Sequence, residues 1–164
     1  MKLAYTYDRR QPLYHGTKRE FEKPKLNGIG ILWLTPDPKA AEIYAGIRNT
    51  TGSGFLWDIR LKPSAKIVDL SDLTSPIIRE FYKMVSDIRR STFGPIDEKD
   101  WPKFADFGLL EGYGWAVRFL KSKRVHGATC ADTAASVHGH DSVALFNLNA
   151  IDSLEKKALT GLQV

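Results

Sequence analysis

Apolar positions along this chain fall into short runs separated by polar breaks, and the spacing inside each run sorts them into strands and helices. Lys2 to Tyr7 alternates weakly and reads as an edge strand. Pro12 to His15 is a short strand that Gly16-Thr17 brings to an end. Lys18 to Leu26 is charged with Phe21 interleaved, a loop, and Asn27-Gly28 is a turn signal. Ile29 to Leu34 is a continuous apolar run of buried-strand length. Thr35-Pro36 then offers a hydroxyl N-cap and a first-turn proline. Ala40, Ala41, Ile43, Tyr44 and Ile47 follow on a helix of about three turns, which Asn49 to Gly54 breaks.

Phe55, Trp57, Ile59 and Leu61 alternate as one face of a strand, and Lys66 to Leu70 is another strand beyond Pro63-Ser64. Ser75-Pro76 opens the strongest helix. Ile77, Ile78, Phe81, Tyr82, Val85 and Ile88 recur at helical spacing there, with Arg79, Glu80, Lys83 and Asp87 turned away. Phe93 to Asp100 reads as a loop. A second helix is expected from about Leu110 to Lys123, with a basic last turn that suits the helix dipole. His126 to Asp132 is strand-like, Thr133 to His140 a loop, Ser142 to Leu148 a strand, and the tail a short helix.

The resulting order lacks regular strand–helix alternation. It predicts an α+β domain with mainly antiparallel strands rather than a doubly wound sheet. No internal repeat or low-complexity segment divides the chain, and 164 residues suit a single domain spanning residues 1–164 with a real core.

Composition narrows the picture further. With one cysteine, Cys130, there can be no internal disulfide and no cysteine-built zinc site. The opening MKLAYTYDRR carries no apolar signal-peptide segment, and no run reaches the ~20 apolar residues of a membrane span, so a soluble, cytoplasmic protein is expected. The net charge of +5 favours an anionic partner such as a dinucleotide or nucleic acid. Its basic residues are spread along the chain, with small clusters (Arg9-Arg10, Arg89-Arg90, Lys121 to Arg124) of the size that usually forms a solvated face.

Candidate chemistry concentrates in the first third. His15 stands at a strand end beside Gly16 and Thr17, which brings an imidazole, a hydroxyl and accessible backbone groups to one spot. A flat amide-bearing ring could pair with the Gly16 backbone, and a sugar hydroxyl could meet His15 or Thr17. Tyr44, on the following helix, offers an aromatic face for stacking, although an aromatic at helical spacing is more often core. Cys130 lies in an apparent strand, the setting of a buried inert thiol rather than a nucleophile. A cysteine hydrolase with His126 or His138 as base is the less common alternative. His138 and His140 near Asp141 are too few for a metal site.

Leu13-Tyr14-His15-Gly16-Thr17 resembles the His-Gly-Ser/Thr motif of ADP-ribosyltransferases of the poly(ADP-ribose) polymerase-like, diphtheria-toxin-type branch. Gly30-Ile31-Leu32-Trp33-Leu34-Thr35 and the helix through Tyr44 are similar to that branch's next strand and its tyrosine-bearing helix. The resemblance covers Leu13 to Tyr44, and more weakly Gly127 to Ile151. It implies split, mainly antiparallel sheets flanked by helices, with NAD as co-substrate. His15 would bind a ribose, Gly16 would pair with the carboxamide and Tyr44 would stack on the nicotinamide. Thr17, Gly30 and Leu32 would complete the binding site.

Loss of nicotinamide leaves positive charge at the anomeric carbon, which a carboxylate stabilises. The family's third position, usually Glu, falls within Gly139 to Asn147, where Asp141 is the one carboxylate; aligning Phe146-Asn147 with the family's aromatic-Asp pair puts Ser142 there instead. The implied activity is transfer of ADP-ribose to a macromolecular acceptor, nucleic acid or protein, by a toxin or effector, which would imply a neutralising antitoxin or immunity partner. Two alternatives stay open: a non-catalytic NAD, ADP-ribose or nucleic-acid binding module, and an RNA 2′-phosphotransferase-like enzyme, whose extra His and Arg pattern is not evident.

Overall fold

A computed structural model of the protein describes residues 8, 10–46, 53–132 and 140–160; the side chains of Phe93, Asp132, His140, Asp141 and Thr160 also lie outside that description. The expected strand over Lys2 to Tyr7, the break after Asn49 and most of the loop from Thr133 lie beyond the described residues.

The chain is α+β, with two sheets. The first contains β1 (Leu13–Thr17), β3 (Ser53–Leu61) and β7 (Ile151–Thr160) in the order β1-β3-β7, all antiparallel. The second contains β2 (Leu32–Leu34), β4 (Ile67–Asp69), β5 (Gly127–Asp132) and β6 (His140–Leu145) in the order β2-β6-β5-β4, antiparallel except for the parallel β4–β5 pair. Helices α1 (Pro38–Tyr44), α2 (Pro76–Phe93), α3 (Phe107–Gly112) and α4 (Gly114–Ser122) complete the described elements, with a 3₁₀ segment at Glu98–Phe104 and another at Leu148–Ala150.

Alternation along the strands produces two cores. Leu13, Trp57 and Ile59 from the first sheet meet Leu32, Leu34, Val143 and Leu145 from the second. The opposite face of the second sheet carries Ala128, Cys130 and Ala144, which pack under the apolar faces of α2 and α4. The part of β6 buried on both sides, Val143 to Leu145, therefore reads as a continuous apolar run. In α2 the buried stripe is Ile78, Phe81, Tyr82 and Val85. Ile88 is instead exposed, because the next inward position, four residues after Val85, goes to Arg89. Its guanidinium lies 5.2 Å from the Phe104 ring and 4.9 Å from the Tyr113 ring.

Several local expectations are corrected. The tail is the long strand β7, not a helix: its Leu, Glu, Lys and Ala residues favour helix, but β3 offers a ladder from Ser53↔Thr160 to Leu61↔Ile151 and tertiary pairing overrides propensity. The helix expected from Leu110 to Lys123 is two helices, broken at Tyr113 (φ −138, ψ 97) between the poor helix formers Gly112 and Gly114. The loop expected through Asp100 includes the start of the 3₁₀ segment.

Helix α1 begins later than Thr35-Pro36 suggested. The Thr35 backbone is held by Tyr14, so Asp37 caps the helix by accepting from Lys39 N–H at 2.9 Å, and Pro38 opens it. Gly46, at φ +84, ends it. Strand β2 is shorter than Ile29 to Leu34 because Asn27 to Ile31 forms a tight turn, with the Asn27 side-chain oxygen accepting from Ile29 and Ile31 N–H.

Candidate functional site

Between the two sheets, at the edge of β1, opens a cavity of about 440 Å³ lined by residues of β1, β2, α1, α3 and β6. Its volume is within the range of about 300–1,000 Å³ typical of small-molecule sites. Its position follows from how the sheets are joined. Tyr14 and Thr35 exchange two backbone hydrogen bonds, at 2.7 and 2.9 Å, and this bridge ties β1 to the residue just after β2. Beyond it the edges diverge, and His15, Gly16 and Thr17 face the opening.

His15 is fixed across this gap by Nδ1, which lies 2.8 Å from the Trp33 carbonyl oxygen. A carbonyl only accepts, so Nδ1 carries the hydrogen, and Nε2 of the neutral ring is the acceptor. Burial lowers the His15 pKa from its ordinary value, opposed by the smaller effect of the Trp33 carbonyl. The ring is therefore biased toward its neutral form, suited to receive a hydroxyl hydrogen.

Gly16 serves the site in two ways. A Cβ there would sit 1.7 Å from the Ala41 carbonyl oxygen of α1, so the glycine lets the helix backbone rest directly on β1. Because Tyr14 turns its N–H and C=O away from β3 toward Thr35, strand parity places those of Gly16 on the same edge, past the bridge and beside the cavity. Helix α1 then presents Tyr44 at the rim. Tyr44 is 43% exposed, so it is not the core aromatic that helical spacing alone would favour.

Thr17 lines the cavity, but its hydroxyl is engaged in a local turn, donating to the Arg19 carbonyl at 3.1 Å and accepting from Arg19 N–H at 3.2 Å. Lys18 stands at the mouth, its alkyl stem lying over Gly46.

The opposite wall holds Ser142, which the sequence offered, beside Trp33, Phe107 and Glu111, to which it gave no role. Trp33 reaches the cavity from β2, and its indole Nε1 donates to Glu111 Oε1 at 2.8 Å. Asn27 Nδ2 donates to the same carboxylate at 3.3 Å. Phe107 meets Trp33 edge to face, with ring centroids 6.3 Å apart. Ser142, on β6, is buried and also lines the cavity.

The structure thus gathers His15, Gly16, Thr17, Tyr44 and Ser142 around one space. Gly30 and Leu32 are placed elsewhere: Gly30 in the turn before β2, and Leu32 in the core between the sheets. Successive side chains of a strand face opposite ways, so on β2 it is Trp33 that reaches the cavity. Asp141, on β6, pairs with Ala131 of β5, and its side chain lies outside the described residues, as does that of His140; His138 lies wholly outside them. Cys130 is fully buried against the helices. The ring of His126 accepts a hydrogen bond from Lys66 N–H through Nδ1 at 2.9 Å.

Comparison with family models, with curated proteins and with solved structures returned no match to this chain.

Proposed function

We propose that the protein is an NAD-dependent ADP-ribosyltransferase that releases nicotinamide and transfers ADP-ribose to a macromolecular acceptor. One observation carries this reading: His15, Gly16 and Tyr44, which bear the resemblance from two separate stretches, line the same cavity. Folding alone did not oblige an exposed tyrosine on α1 to share a cavity with a buried-side histidine on β1.

In this reading the Gly16 N–H and C=O pair with the carboxamide, Tyr44 covers the nicotinamide ring, and His15 Nε2 accepts from a ribose hydroxyl. Lys18, at the mouth, suits the pyrophosphate. The bond from the anomeric carbon to the nicotinamide nitrogen breaks, and nicotinamide leaves with the electron pair. The acceptor then forms its bond to that carbon and gives up a proton. The net charge of +5 favours nucleic acid over protein as acceptor. An enzyme of this kind acting within its own cell would require a neutralising partner.

A second reading, a binding module without turnover, draws on Ser142, a neutral hydroxyl lining the cavity from the strand where the resemblance expects a carboxylate. Nicotinamide release by the purified protein, with and without a cell lysate as acceptor source, separates the two. The transferase reading expects release that His15→Ala reduces about 100-fold, the scale of losing one contact that positions the reacting sugar. Tight NAD binding without release under any condition would establish the module, and absence of NAD binding would overturn both.

A further inference from the structure

Among the described residues lining the cavity, Glu111 is the only carboxylate. It comes from α3, on the wall facing β1 and α1, and two donors hold it in place. Oε1 receives the Trp33 indole N–H at 2.8 Å and an Asn27 amide N–H at 3.3 Å, while Oε2 lies at the long limit of 3.5 Å from the same amide. A carboxylate offers about four acceptor directions, so these ties orient Glu111 without filling it. Trp33 also fixes His15, through its carbonyl oxygen at 2.8 Å. One residue thus holds the imidazole by its backbone and the carboxylate by its side chain, on two sides of one cavity. Ser142 cannot supply negative charge.

We infer that Glu111 is the carboxylate that faces the positive charge developing at the anomeric carbon, a catalytic role supplied from helix α3 rather than from β6. The inference rests on the transferase reading and deepens it. Trp33 and Asn27 are positioning residues for this group. Their donors offset the charge and hold it in place, so little reorganisation is needed when the bond to nicotinamide breaks.

The test is Glu111→Gln in the full chain. Glutamine keeps the shape and an oxygen that can accept from Trp33, and removes the charge while turning the second oxygen into an NH2 donor. NAD affinity by calorimetry, nicotinamide release at saturating NAD and the thermal midpoint are measured together, with Asp141→Asn in parallel. The expected result is an unchanged midpoint, an affinity within about threefold of the parent, and release reduced at least about 100-fold.

Release from E111Q at the parental rate overturns the role of Glu111; if D141N then abolishes release, the transferase reading still stands with Asp141 as its carboxylate. Failure of the unsubstituted protein to release nicotinamide, with or without lysate, overturns both. Should E111Q not fold, Glu111→Asp replaces it, keeping the charge but withdrawing it by a methylene. At least a tenfold loss of release with NAD affinity retained then supports the role, and parental release overturns it.

Discussion

On the β1–α1 side of the cavity, backbone sets position. The Ala41 carbonyl rests where a Gly16 side chain would be, the Tyr14–Thr35 bridge fixes the strand edge, and the groups offered to a ligand follow within a few residues of these contacts. On the α3–β6 side, side chains set position. Trp33, Asn27 and Glu111 tie together a turn, a strand and a helix that are distant in the chain. The first kind of wall is rigid and intolerant of added volume. The second is held by a few donors and one carboxylate, so it can be altered chemically while the fold persists.

The most damaging way to break this comparison is Gly16→Ala. The new Cβ would meet the Ala41 carbonyl oxygen at 1.7 Å and Ala45 N at 2.9 Å, both backbone atoms that cannot rotate aside. Helix α1 must shift, taking Tyr44 with it. A loss of about 3 kcal/mol in unfolding free energy is expected, at the upper end of overpacking costs, together with, in the transferase reading, loss of NAD binding. Chemical denaturation checks the first and calorimetry the second. A methyl group accepted here without a change in stability would show that α1 is not seated on β1 as the geometry requires.

This difference also explains what could be read from the chain. Leu13 to Tyr44 was legible because the residues it brings to the cavity lie in contiguous stretches and its glycine, proline and helix signals are local. Even there, the parity of β2 was missed: Leu32 enters the core, while Trp33 reaches the cavity and supports both His15 and Glu111. Glu111 left no local trace, being one acidic residue in a segment that read as an ordinary amphipathic helix. Only the tertiary approach of α3 to the Asn27–Ile31 turn gives it a site. β7 was illegible for a related reason, since its helix-favouring residues become a strand only against β3. The α+β class survived these errors because it depends on the number and order of apolar runs, not on any one boundary.

A smaller effect sharpens the comparison at the rim. Tyr44 is exposed at the end of α1, so Tyr44→Ala should change unfolding free energy by no more than about 0.5 kcal/mol. In the transferase reading its ring covers the nicotinamide, and its loss should weaken NAD binding about tenfold, an ordinary magnitude for one base-stacking aromatic. Tyr44→Phe keeps the ring and should bind NAD like the parent. An equally weak Tyr44→Phe would place the contribution in the hydroxyl and overturn the stacking role.

The smallest expected effect is a pH dependence that belongs to one wall. Burial lowers the His15 pKa in the folded protein from its ordinary 6.5, with the Trp33 carbonyl opposing in part. Between the folded value and 6.5 the unfolded chain binds more protons at this site, so stability rises with pH across that window. The contribution of His15 is fully present above 6.5 and is lost as pH falls through the lowered folded value. A single group changes stability by at most about 1.4 kcal/mol per pH unit. Denaturant midpoints measured from about pH 7.5 down to about pH 5 should therefore fall less steeply for His15→Gln than for the parent. Ser142→Ala, on the other wall and without a titrating group at that position, should reproduce the parental slope. Identical slopes for the parent and His15→Gln would mean that the imidazole is not desolvated at the strand edge, and that β1 leaves it open to water.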